Sequence, residues 1–233
     1  MDIQPFSDAT ELAQALAQSV AARVQSLVES KGQAVLALSG GRTPVRFLQE
    51  LSRQSIDWAK VIVTLVDERW VAPDHPQSNE RLLREHLWQN QAQQAYFLPL
   101  KNAALHVLDG YQESENRLCE MLPKIDIAVL GMGEDGHCAS WFPQSQALAG
   151  LLSEQTQARS LPVVDAPEVA ERLSLTWAFL AQSQHLYVHF EGAKKKAVFD
   201  HAQLEQERHQ VAVMPIRKLL VQKTVPVSLY YCL

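Results

Sequence analysis

A chain of 233 residues with 47% hydrophobic and 20% charged residues has an ordinary globular composition, which excludes a disordered or fibrous polypeptide. The formal charge of −5 argues against a nucleic-acid partner, and no apolar run approaches the roughly 18 residues of a membrane span. Cys119, Cys138 and Cys232 are widely spaced with no CxxC pair, and no basic-then-apolar leader opens the chain, so a cytoplasmic, reducing setting is expected.

In chain order, Asp8 and Glu11 form a variant capping box, and Leu12, Leu16, Val20, Val24 and Leu27 recur at helical spacing. This predicts an amphipathic helix over 8–31 that stops near Gly32. Ala34 to Leu38 follows as a buried strand and runs into Ser39-Gly40-Gly41-Arg42-Thr43-Pro44. Thr43 is expected to cap the next helix, with Pro44 at its first position and Val45, Leu48 and Leu51 on its apolar face. Val61 to Val66 is a second central strand ending in Asp67-Glu68-Arg69. Pro73 to Asn79 reads as loop, Ser78 as a cap, and Leu82, Leu83 and Leu87 as a helix to about Trp88. Tyr111 to Leu122 is a further helix, and Ile125 to Leu130 a third buried strand.

That third strand gives way to Gly131-Met132-Gly133-Glu134-Asp135-Gly136-His137, where glycines permit a sharp turn and place a histidine at a strand's carboxyl end. Beyond it, Leu173 to Trp177 and Leu186 to Phe190 read as strands, and Gly192 to about Glu207 as a helix opened by Lys194, Lys195 and Lys196. Pro215 to Val221 reads as a short helix and Val225 to Tyr231 as a final strand. Without a Gly-, Pro- or Ser-rich linker, residues 1–233 are expected as one domain. The alternation predicts a Rossmann-like α/β fold with a doubly wound, mostly parallel sheet and helices on both faces.

Charge and glycine gather at three strand ends. Ser39 to Pro44 has the makings of an anion cradle, since glycines let backbone N–H groups approach and a helix N-terminus favours negative charge. A simple tight turn uses the same residues. Asp67 and Arg69 suit hydroxyls and an anionic centre, and at least two of the three lysines at 194–196 are expected to be solvated. His185 and His189 share one strand face, but no third ligand accompanies them and no metal site is expected.

Taken together in this order, several motifs resemble the 6-phosphogluconolactonase family, which shares its fold with glucosamine-6-phosphate deaminases. They are Ser39-Gly40-Gly41 with Thr43-Pro44, Asp67-Glu68-Arg69, Ser78-Asn79, Gly131-Met132-Gly133 through Asp135-Gly136-His137 to Ala139-Ser140 and Phe142-Pro143, Arg172 with Leu175-Thr176, and Gly192 with Lys195. The likeness spans almost the whole chain. The family usually has Thr, Leu and Gly where this chain has Cys138, Trp141 and Gln144. The deaminase branch typically carries Asp-Glu-Tyr in place of Asp67-Glu68-Arg69 and Asn-Glu in place of Trp141-Phe142, so both differences point to the lactonase.

The resemblance implies hydrolysis of 6-phospho-D-glucono-1,5-lactone in the oxidative pentose phosphate pathway, without metal or organic cofactor, by a monomer or small homo-oligomer. His137 would activate water, Asp135 or Asp67 would orient its ring, and Arg69 would stabilise the oxyanion or hold substrate oxygens. Ser39, Gly40, Gly41, Thr43, Asn79, Arg172 and Lys195 would bind substrate, with the glycine loop, Arg172 and Lys195 on the phosphate. Two other readings stay open: a deaminating aldose–ketose isomerase, and a non-enzymatic sugar-phosphate sensor, which needs no His137.

Overall fold

The computed structural model describes residues 1–233. Its strands are β1 (Asp2–Phe6), β2 (Ala34–Leu38), β3 (Val61–Leu65), β4 (Asp67–Arg69), β5 (Tyr96–Phe97), β6 (Ile127–Gly131), β7 (Ser160–Val163), β8 (Arg172–Leu175), β9 (His185–Glu191) and β10 (Val227–Cys232). The helices are α1 (Ala9–Lys31), α2 (Val45–Ser52), α3 (Asn79–His86), α4 (Val107–Met121), α5 (Leu148–Leu152), α6 (Trp177–Leu180), α7 (Ala193–Ala202) and α8 (Arg217–Val221). Seven strands form one sheet in the order β1-β10-β9-β6-β2-β3-β5, parallel throughout. Both β2 and β3 are buried at every residue, as strands covered on two faces must be. One contiguous core of 67 buried residues runs beneath the flanking helices.

Local chemistry explains the elements. Asp8 accepts hydrogen bonds from the N–H groups of Thr10 and Glu11, while Glu11 reaches back one residue beyond the cap to Ser7. Gly32, in the left-handed region at φ 82, ends α1 with its N–H on the Val28 carbonyl. Ser78 caps α3 as expected, its Oγ accepting from the Arg81 N–H at 3.1 Å. Thr43 does not cap α2: the helix starts one residue later than predicted, and Thr43 Oγ1 instead accepts from Lys195 Nζ at 3.3 Å. The helix after Gly192 ends at Ala202, well short of Glu207, because the chain turns back so that Glu207 meets the buried Arg217 at 2.6 Å. The strand expected to reach Trp177 stops at Leu175, since Thr176 caps α6.

A second, three-stranded antiparallel sheet in the order β4-β8-β7 is the main feature beyond the expected architecture. Asp67 to Arg69 do not simply end β3; they turn into this small sheet, with Arg69 opposite Arg172. The crossover from β2 leads to β3 and that from β6 leads to β9, so the two adjacent strands send their chains apart and leave a crevice at their carboxyl ends.

At the opposite end of the sheet, Asp126 is fully buried and joins four elements. Its carboxylate accepts from Lys31 Nζ at 2.5 Å and the Val35 N–H at 2.7 Å, its N–H reaches the Val35 carbonyl, and its own carbonyl accepts from Gln184. Asp126→Ala should lower stability by about 1–3 kcal/mol, chiefly by leaving the Val35 N–H without a partner. Urea unfolding should show a lower midpoint at unchanged slope; an unchanged midpoint would refute the assignment.

Candidate active site

Ser39 holds the crevice together where β2 and β6 part. Its N–H donates to the Val129 carbonyl at 3.0 Å, and its Oγ accepts from the Gly131 N–H at 2.9 Å. Above it opens a cavity of about 500 Å³, lined by Ser39, Gly40, Gly41, Thr43, Asp67, Arg69, Asn79, His137, Arg172 and Lys195. Of the residues expected in the site, only Asp135 is absent from this lining, and its link to the cavity is its contact with His137. Arg42, Arg69, Arg172 and Lys195 face Asp67, Glu134 and Glu168 there, so the cavity carries a positive balance inside a chain of formal charge −5.

The histidine loop is built around one pair. His137 Nδ1 lies 2.5 Å from Asp135 Oδ1, which also accepts from the His137 N–H at 3.1 Å. Burial pushes the Asp135 carboxyl up, but the hydrogen bond and charge of His137 outweigh it and hold the group below the usual carboxylate range. Gly133 makes this fold-back possible: a Cβ there would sit 2.2 Å from two imidazole atoms and 2.7 Å from Asp135 Oδ1. Phe142 packs against the His137 ring with centroids 4.5 Å apart, and the Arg172 guanidinium lies 5.0 Å from the same phenyl ring.

Asp67 does not touch the imidazole. It accepts from Ser140 Oγ at 2.6 Å and stands 3.8 Å from Arg172, tying β4 to the segment after the histidine loop. Of the two carboxylates weighed as orienting groups, the contact to the ring belongs to Asp135. Arg172 spends Nε on the Val169 carbonyl and one terminal nitrogen on that of Pro167, while Arg69 donates to the Gln77 carbonyl at 2.7 Å and keeps a buried Nε without a partner. Lys195 makes only its bond to Thr43, whereas Lys194 is exposed and Lys196 pairs with Asp200 on its own helix. Asn79 lies flat against Gly40, where a Cβ would come within 1.9 Å of its Oδ1, and its Nδ2 donates to the Asp67 carbonyl.

Cys138 and Trp141 are fully buried beneath the loop, Trp141 donating to the Leu175 carbonyl at 2.9 Å, and Gln144 is exposed. None of the three lines the cavity, so the departures from the family pattern leave its walls intact. Sequence reasoning assigned no role to Arg42, Glu134, Glu168 or Glu68. Arg42 sat inside the recognised glycine segment and was legible there; Glu168, at φ 63 on the loop before β8, carried no signal. Glu68 lies below the site and accepts from the N–H groups of Arg69, Asn79 and Glu80 and from Ser78 Oγ, clamping α3 to β4.

Comparison with known proteins gives the same family throughout. Residues 7–226 match the family model described as glucosamine-6-phosphate isomerases/6-phosphogluconolactonase. The chain is 38% identical over 227 residues to a 6-phosphogluconolactonase of Rhizobium meliloti, covering 97% of this chain and 96% of the other. It is 40% identical over 231 residues to one of Pseudomonas putida, covering 99% and 92%. A crystal structure of a 6-phosphogluconolactonase from Shewanella baltica superposes with a TM-score of 0.93 at 38% identity, covering 100% and 98%.

Glu68 yields a pH test of this architecture. Burial pushes its carboxyl up from 4.5 to about 7, against the three backbone N–H donors that pull it down. The folded state therefore keeps a proton that the unfolded chain has released, so this contribution to stability is full below about 4.5 and is lost as pH rises to about 7. Urea midpoints across that window should fall more steeply for the wild type than for Glu68→Gln; parallel slopes would show the raised carboxyl to be wrong.

Proposed function

The chain belongs to the glucosamine-6-phosphate isomerase/6-phosphogluconolactonase family, and from that premise we propose that it hydrolyses 6-phospho-D-glucono-1,5-lactone to 6-phosphogluconate. The observation that carries the reading is the Asp135–His137 pair at the wall of a positively balanced cavity. Nδ1 donates to the carboxylate, which leaves Nε2 as the ring atom free to exchange a proton. Nε2 takes a proton from water as the oxygen attacks the lactone carbonyl. It then returns that proton to the ring oxygen as the carbon–oxygen bond breaks, giving a free hydroxyl and a carboxylic acid, which releases its own proton to solvent and leaves as the carboxylate.

The surrounding groups divide the remaining work. Arg69 has donor capacity left over and suits the oxyanion of the tetrahedral intermediate. Lys195, Thr43 and the amides of the Ser39–Gly41 segment suit the phosphate, while Asn79 packs against Gly40 and sets the course of that loop. Arg172 spends two of its five N–H donors on backbone carbonyls, and acts through its charge and by holding Phe142 against the imidazole. Phe142 and Arg69 stand where the deaminase branch typically carries an acidic and a phenolic side chain, which supports the lactonase reading. No step calls on a metal or organic cofactor.

His137→Asn should lower kcat by about 10² to 10⁴-fold with the melting temperature little changed, as following product formation from freshly made lactone, corrected for spontaneous hydrolysis, would show. Near wild-type turnover in that variant would sink the mechanism, and release of ammonia from glucosamine 6-phosphate by the wild type would favour the deaminase branch. Lys195→Met should raise KM for the lactone by roughly 10 to 100-fold with a smaller change in kcat, the mark of a lost phosphate contact. A fall in kcat at constant KM would place Lys195 elsewhere.

A further inference from the structure

The cavity contains a second histidine for which the hydrolytic scheme has no use. His189, on β9 and in register with Gly131 of β6, is 2% exposed and lines the cavity, edge-on to Phe47 with ring centroids 6.3 Å apart. Its Nε2 lies 3.2 Å from Glu191 Oε1. An ionised carboxylate only accepts, so Nε2 carries the hydrogen and the neutral ring presents Nδ1 as an acceptor. No protein group donates to that nitrogen. Burial, which outweighs the opposing pull of Glu191, holds the imidazole below the usual histidine range and keeps it uncharged.

An uncharged acceptor among cations and carboxylates has a narrow use. It gives no hydrogen bond to a phosphate or an oxyanion, both of which need donors, and at 2% exposure it has little contact with bulk water. What it can receive is a hydroxyl. Resting on the phosphosugar-lactone reading above, we propose that His189 is a specificity-determining residue whose Nδ1 accepts a hydrogen bond from one hydroxyl of the sugar ring, with Glu191 fixing the tautomer.

The test uses calorimetric binding of 6-phosphogluconate and of its 2-, 3- and 4-deoxy analogues, which each lack one hydroxyl that the lactone ring carries, to the wild type, His189→Leu and His189→Asn. In the wild type one analogue should bind more weakly than the parent by roughly 10 to 100-fold. His189→Leu should weaken the parent by a similar factor and abolish the penalty for that analogue alone. His189→Asn, whose side-chain oxygen takes the place of Nδ1, should recover part of the loss, and it keeps the test decisive if the leucine variant fails to fold. Unchanged parent affinity in His189→Leu, the same penalties on all three analogues as in the wild type, or no binding by the wild type would each overturn the assignment. Lactone turnover by the wild type is followed separately: its absence alongside the expected binding pattern would remove the hydrolytic reading and leave the hydroxyl contact standing.

Discussion

Everything in the site depends on the parting of two adjacent parallel strands. As β2 and β6 diverge, the ladder between them is continued for one more step by Ser39, which gives β6 a backbone donor at Val129 and a side-chain acceptor at Gly131. That bridge fixes the glycine segment and the histidine loop relative to each other before any ligand arrives. A site assembled on strand ends in this way is held by the most buried part of the molecule and presents its polar atoms at the one place where the sheet is open.

The electrostatics are layered around that opening. Carboxylates set the geometry and cations face the cavity: Asp135 holds the imidazole, Asp67 holds Ser140 and stands beside Arg172, and Glu68 gathers the N-terminus of α3. Each of these acids is placed against donors of its own, and only Arg172 among the cavity's cations stands within 4 Å of a carboxylate, that of Asp67. Lys195 illustrates the result. Its principal shift is downward through burial, its only hydrogen bond goes to a hydroxyl, and its charge is available to an incoming anion.

The sequence was most legible where burial and chemistry follow local pattern. The continuous apolar runs at Ala34–Leu38, Val61–Leu65 and Ile127–Leu130 announce central strands, and the glycine and charge clusters behind them mark the crevice. Two of the strands that escaped notice share a physical reason. β1 carries Pro5 and β7 carries Pro162, and both are edge strands, where a missing N–H is tolerated and half the residues face water, so neither shows the apolar signature of an interior strand. β4 was hidden by its own chemistry, since Asp67-Glu68-Arg69 reads as a loop unless the antiparallel partner at Arg172 is known. The same holds for side-chain roles. Asp135 and Asp67 were equivalent candidates in one dimension; the two-residue separation that lets Asp135 fold onto the imidazole depends on the empty space at Gly133.

The burial of Cys138 has a consequence for the chain's response to oxidants. Peroxide and disulfide exchange act on thiolates, and burial pushes the Cys138 thiol strongly up, with the negative charge of Asp135 adding to the effect. Cys232 is raised by its own burial in the same direction, and Cys119, the exposed member, is raised by partial burial and by Glu115 beside it. Cys138 directly follows His137 in the chain. Its sulfur is stored beneath the loop as a neutral filler that offers an oxidant no ready thiolate.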